Sequence, residues 1–195
     1  MTGVVLRGPV ELADPLEVAL GFLEAYGPDD RGGTSDPDVF DERDLKRANR
    51  GGSRISAAEQ AAVLARRDRI EPALRAIPVD ASLAARTVPW RPLTELFGSF
   101  GEIRGVGFAK MTKALHGKRP ALIPILDSVV QAYLASDEPA PLEFGQRATA
   151  LVRNYKQDLD RNRVALREVR QALAMRGYEL TEVRILDVLI WSAFS

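Results

Sequence analysis

Gly105-Val106-Gly107, and Asp127 twenty residues beyond the second glycine, are the residues of this chain whose types and spacing could do chemistry. Glycines take positive φ at no steric cost, so they let a backbone come close to a phosphate. A helix that starts just after Gly107 points unbonded N–H groups outward, and those groups suit an anion. The amides of Gly107 and Phe108 are the donors at that place. Lys110 and Lys113 are three apart and share a helix face. Lys118 and Arg119 follow in the next turn. From Gly101 to Leu126, five basic residues stand against one acidic, a local charge of +4. Such a set could clamp a phosphate backbone, or be no more than a solvated helix face. Asp127 precedes Ser128-Val129-Val130 and is a good N-cap, a role worth about 1 kcal/mol.

Two helical patterns must position these groups. Leu93, Leu96, Phe97, Phe100 and Ile103 recur at helical spacing before the glycines, and Phe108, Met111, Thr112 and Leu115 recur after them. Two helices joined by Gly-hydrophobic-Gly form a helix-hairpin-helix, with its core over 93–134.

Gly105-Val106-Gly107 followed by Pro124-Ile125-Leu126-Asp127 resembles the helix-hairpin-helix DNA glycosylase superfamily, the group of endonuclease III, adenine glycosylase and alkylbase glycosylase. The likeness covers under a quarter of the chain. The wording of LHGKRPALIPILDS and of the terminal RILDVLIW looks more like a divergent bacterial family of unknown function. The resemblance implies an all-α, glycosylase-like fold of about nine helices, DNA as partner, and Asp127 as the catalytic carboxylate. It implies DNA contacts from Gly105, Gly107, Phe108, Lys110, Lys113, Lys118 and Arg119. It also implies a monovalent cation held by hairpin carbonyls as the one candidate cofactor. The Schiff-base lysine of bifunctional members falls at Ala109 here. Lys110 is one residue later, turned by about 100° on a helix. The analogy therefore implies water-directed, monofunctional base removal. Met111 replaces a usually small residue, so the hairpin helices are expected to sit further apart.

A length of 195 residues allows one compact domain, or two small lobes sharing a core. With no cysteine there is no disulfide, thiolate zinc site or iron–sulfur cluster, and one histidine, His116, excludes a multi-histidine metal site. No apolar run approaches the length of a membrane span, and the N-terminus lacks a signal-peptide core. The cytoplasm is the expected location. Zero net charge argues against strong, indiscriminate DNA binding.

Elsewhere the punctuation is plain. Gly3 to Gly8 reads as a strand or a tail. Asp14-Pro15 opens a helix that Gly27 closes. Pro28 to Asp38, with Asp29, Asp30, Asp36 and Asp38, reads as a solvated loop without calcium-loop spacing. A short helix is expected over Asp41 to Asn49. Ser56-Ala57-Ala58-Glu59 is a capping box whose helix runs toward Asp68 and bends or restarts before Pro72. Val79 to Arg86 reads as another short helix. Trp90 could stack on a base, though an aromatic packed between helices fits its place better. After a loop at Pro139 and Pro141, helices are expected over Leu142 to Asp158, over Arg161 to Arg176, and from Thr181 to the end. Arg184 and Asp187 stand three apart in the last one and read as a pair fixing helix packing. Three roles stay open: a base-excision enzyme, a DNA-binding module without catalysis, and a protein-interaction protein.

Overall fold

The computed structural model describes residues 2–8, 10–27, 36–135 and 142–195, and most of them are helical. The chain begins with an antiparallel pair of two-residue strands, β1 (Val4–Val5) and β2 (Glu11–Leu12). Among the described residues ten helices follow: α1 (Pro15–Tyr26), α2 (Glu42–Arg50), α3 (Ala57–Leu64), α4 (Arg67–Arg75), α5 (Trp90–Gly98), α6 (Phe108–His116), α7 (Ser128–Leu134), α8 (Phe144–Arg161), α9 (Arg163–Ala174) and α10 (Glu182–Phe194). About nine were expected. The described residues are all-α apart from the small strand pair.

Local chemistry explains most of the starts. Asp14 accepts from the Glu17 amide ahead of α1, and Thr181 accepts from the Arg184 amide ahead of α10. Ser56 and Glu59 close the reciprocal capping box of α3. The break after it falls at Ala65 and Arg66, and Pro72 then lies inside α4 rather than at a restart. The helix expected over Val79 to Arg86 does not form. The stretch is turned instead, with Ala81 N–H on Pro78 O and Leu83 N–H drawn to Ala121 O at 2.9 Å. A backbone amide recruited by a distant segment cannot also close a helical turn.

One hydrophobic cluster runs through the described helices, from Val4 to Ile190. α10 is buried continuously from Ile185 to Ile190, Asp187 included. Each aliphatic side chain so buried contributes about 1.5–3 kcal/mol. The tightest crossing is that of α5 on α8. A Cβ on Gly145 would lie 2.5 Å from Thr94 O and 2.8 Å from Gly98 N. Only glycine fits there, and the hydroxyls of Thr94 and Thr149 bond at 2.9 Å beside it. The N-terminal strand is tied to the α8–α9 junction by Asn162, which both donates to and accepts from Val5, and by the Arg7–Asp158 ion pair at 2.7 Å. Among the described residues no helix is long and apolar enough to cross a membrane.

Candidate nucleic-acid interface and carboxylate site

The connection between α5 and α6 is a run of turns that ends in the two glycines. Gly105 has φ +84°, the left-handed region that glycine enters without strain. Between the glycines Val106 is buried, and its N–H bonds Ile103 O at 3.0 Å. Gly107 caps α6 in an extended conformation and, being glycine, offers the first-turn amides no side-chain cap. Both glycines are exposed, and nothing lies within 4 Å of a Cβ built on Gly107. Phe108 packs under this turn against Phe144, with ring centroids 4.7 Å apart, and the Arg147 guanidinium sits 5.5 Å over its face. Met111 is fully buried in the core.

The basic residues divide into two groups. Lys110 donates to both carboxylate oxygens of Glu59 at 2.8 Å, and Lys113 donates to Gly51 O at 2.8 Å. Lys118 and Arg119 correct the sequence expectation, because they are only 2% and 0% exposed. Lys118 pairs with buried Asp44 at 2.9 Å and donates to Asp36 O. Arg119 donates to Leu74 O and Ile77 O at the C-terminal end of α4, to Pro37 O, to Lys118 O and to Asp38. A guanidinium has five donors and matches a helix end with unpaired carbonyls. These two cations are therefore internal braces and cannot reach a phosphate. Their place between Leu115 and the apolar run from Ala121 to Leu126 was the available signal. Asp36 and Asp38 of the acidic loop serve the same braces; Asp29 and Asp30 lie outside the described residues. Besides Lys110, positive groups near the two glycines include Arg104, exposed, Arg147, and Arg66, whose guanidinium bonds Gly101 O at 3.0 Å. Arg66 and Arg147 come from distant parts of the chain, so no local motif marks them.

Asp127 is the half-exposed N-cap of α7, and its Oδ1 accepts from the Val130 amide at 2.9 Å. The chain leading to it is clamped by side chains. The Leu126 amide donates to Thr112 Oγ1 at 3.0 Å, and Thr112 in turn donates to Phe108 O in the first turn of α6. The Ile125 amide donates to Asp187 Oδ2 at 3.1 Å, and Gln131 donates to Leu126 O at 2.8 Å. One ring nitrogen of His116 bonds Ile123 O at 2.6 Å. The hairpin helix thus fixes the place of the Asp127 carboxylate through Thr112.

Asp187 is the site residue whose role was not legible in the sequence. It is 2% exposed in α10, and its Oδ1 has no hydrogen-bond partner among the described residues. Burial pushes its carboxyl up to about 7; Arg184, the Ile125 amide and the Tyr155 hydroxyl pull it down, and the charge of Asp127 adds to the rise. Tyr155 is fully buried and donates to Val183 O at 2.6 Å, and burial drives its phenol well above the usual range. The Arg184 guanidinium lies 5.6 Å over the ring of Phe22 on α1. Trp90 is half-buried in the first turn of α5, with Arg153 4.3 Å over its ring. A cavity of about 450 Å³ lies elsewhere, between the α9–α10 turn and Ser82 and Ala121, and neither the hairpin nor Asp127 lines it.

An all-α architecture is the class that these features define. The family of unknown function DUF6308 matches residues 24–194, and the chain belongs to that family. No curated protein and no solved structure matches it.

Proposed function

We propose that this protein binds DNA through the Gly105–Gly107 hairpin and removes a base in the manner of a monofunctional DNA glycosylase, with Asp127 as the catalytic carboxylate. One observation carries the reading. Asp127 is partly buried but not sealed from solvent, and the two amides before it are held by Thr112 and Asp187, so the backbone that carries its carboxylate is fixed relative to α6. A preorganised charge is what a developing positive charge requires.

In this reading a phosphate rests against exposed Gly107 and the amides that open α6, with Arg104 and Arg147 beside it. The target nucleotide leaves the stack at a cost of about a few kcal/mol. The bond from C1′ to the base nitrogen breaks, and its electrons leave with the base. Asp127 stabilises the cationic sugar and orients a water. The water oxygen bonds C1′, and one of its protons ends on the base. Ala109 supplies no amine, so no covalent enzyme–sugar adduct forms. A cytoplasmic location belongs to the same reading.

A second reading, a binding module without catalysis, is favoured by one specific feature. Glu59 holds Lys110 with both oxygens and sets a carboxylate against the hairpin. Duplexes carrying uracil, alkylated and oxidised bases, offered to the protein at two salt concentrations, separate the two. Salt-sensitive binding with base release supports the enzyme. Salt-sensitive binding alone supports the module. No binding at low salt removes both.

A further inference from the structure

The Glu59 side chain makes three contacts at once. Its Oε2 accepts from the Ser56 amide at 2.8 Å, which is half of the α3 capping box. Both of its oxygens accept from Lys110 Nζ at 2.8 Å. The same carboxylate lies directly against Gly105, where any Cβ would collide with it. Gly105 is thus required by its positive φ and by the closeness of this anion. The carboxyl is held below its usual range, first by the Lys110 bond and then by the Ser56 amide, so it is charged at neutral pH. An ammonium, a backbone amide and a glycine surface around one anion are also the contacts that a phosphodiester oxygen would take. The Glu59 side chain is 15% exposed and that of Lys110 23%, so an arriving phosphate can meet the pair from solvent.

We propose that Glu59 is an internal stand-in for phosphate, an affinity-setting residue that a nucleic-acid backbone must displace before it engages Lys110 and Gly105. The proposal rests on the DNA-binding reading above and adds to it how tightly the site holds. With Glu59 in place the hairpin presents no net charge from Lys110, and two like charges at one spot repel. Only the contacts on the Gly107 side are then open at first encounter. A backbone bent away from Gly105, or one that offers extra contacts elsewhere, is favoured over a regular duplex.

The test is a variant cycle read by fluorescence anisotropy on a labelled duplex. Glu59→Gln keeps the length of the side chain and an oxygen for the Ser56 amide. It should tighten binding about tenfold at low salt and steepen the dependence on salt by about one released ion. Lys110→Gln alone should weaken binding, because it leaves the Glu59 charge unmatched beside Gly105. Lys110→Gln in the Glu59→Gln background should return the affinity to the starting value. Glu59→Asp, one methylene shorter, should give a smaller gain, and it serves if the Gln variant folds poorly. Unchanged or weaker binding by a folded Glu59→Gln protein overturns the proposal while the DNA-binding reading stands. If neither the unaltered chain nor any variant binds at low salt, the DNA-binding reading fails and this proposal fails with it.

Discussion

Asp187 Oδ2 accepts the backbone amide of Ile125 at 3.1 Å, so a carboxyl buried in α10 fixes the segment that carries Asp127. The bond has an energetic consequence. The carboxyl sits at about 7 when folded, against an ordinary value of 3.8. The native state therefore holds a proton that the unfolded chain has already lost. Stability is unaffected below about pH 4, falls as pH rises toward 7, and is flat above that. The full cost approaches about 4 kcal/mol. Asp187→Asn keeps an oxygen for the Ile125 amide and cannot ionise. Its Tm should match that of the unaltered protein near pH 4 and exceed it by several degrees at pH 8. A difference in Tm that does not vary with pH would rule out titration of this group.

Lys118 and Arg119 should behave as core residues. Lys118→Ala removes the cation paired with buried Asp44, and Arg119→Ala removes the guanidinium donors from the carbonyls of Leu74 and Ile77. Each should cost about 3–5 kcal/mol, as breaking a buried charged contact does. Thermal unfolding measures the loss. At a temperature where the variants stay folded, affinity for a duplex should be unchanged. A clear loss of binding without a loss of Tm would return both residues to the interface.

Gly145→Ala tests the crossing that holds α5, and with it the first arm of the hairpin. The new methyl would press on Thr94 O and on the Gly98 backbone, neither of which is a flexible side-chain end. Overpacking of this kind costs about 1–3 kcal/mol. Denaturant unfolding should show the midpoint shifted down with an unchanged slope. A midpoint equal to that of the unaltered chain would mean that α5 and α8 separate freely.

The cap and the chemistry at Asp127 can be separated by stability. Asparagine caps as well as aspartate, so Asp127→Asn should move the Tm by no more than a degree or two. Asp127→Ala loses the bond to the Val130 amide and should cost about 1 kcal/mol. Calorimetry on the two variants checks the order. If Asn were as damaging as Ala, the carboxylate charge itself would be holding α7.

Helix starts were legible because their chemistry is local. Asp14-Pro15, Ser56 with Glu59, and Thr181 each carry their cap within four residues. The positive φ of Gly105 and the capping position of Asp127 were readable for the same reason. What stayed hidden depends on distant partners. Lys118 and Arg119 read as surface charge, because Asp44 and the end of α4 lie far away in sequence. Val79 to Arg86 read as a helix, because the pull of Ala121 O on Leu83 is tertiary. Glu59 read only as a capping residue, and nothing near it in sequence points to Lys110. Asp187 stood out as a charge in an apolar helix, but its bond to Ile125 crosses between elements.

Single-turnover base release is the measurement closest to the central claim. The unaltered chain and Asp127→Asn would be offered the same lesion-bearing duplexes at saturating protein. The account predicts that the unaltered protein frees a base from at least one duplex. It predicts that Asp127→Asn binds that duplex equally well and frees the base at least about a hundredfold more slowly, the usual scale for losing one preorganised electrostatic group. Equal rates for the two proteins, or no release by the unaltered chain from any duplex it binds, would contradict it.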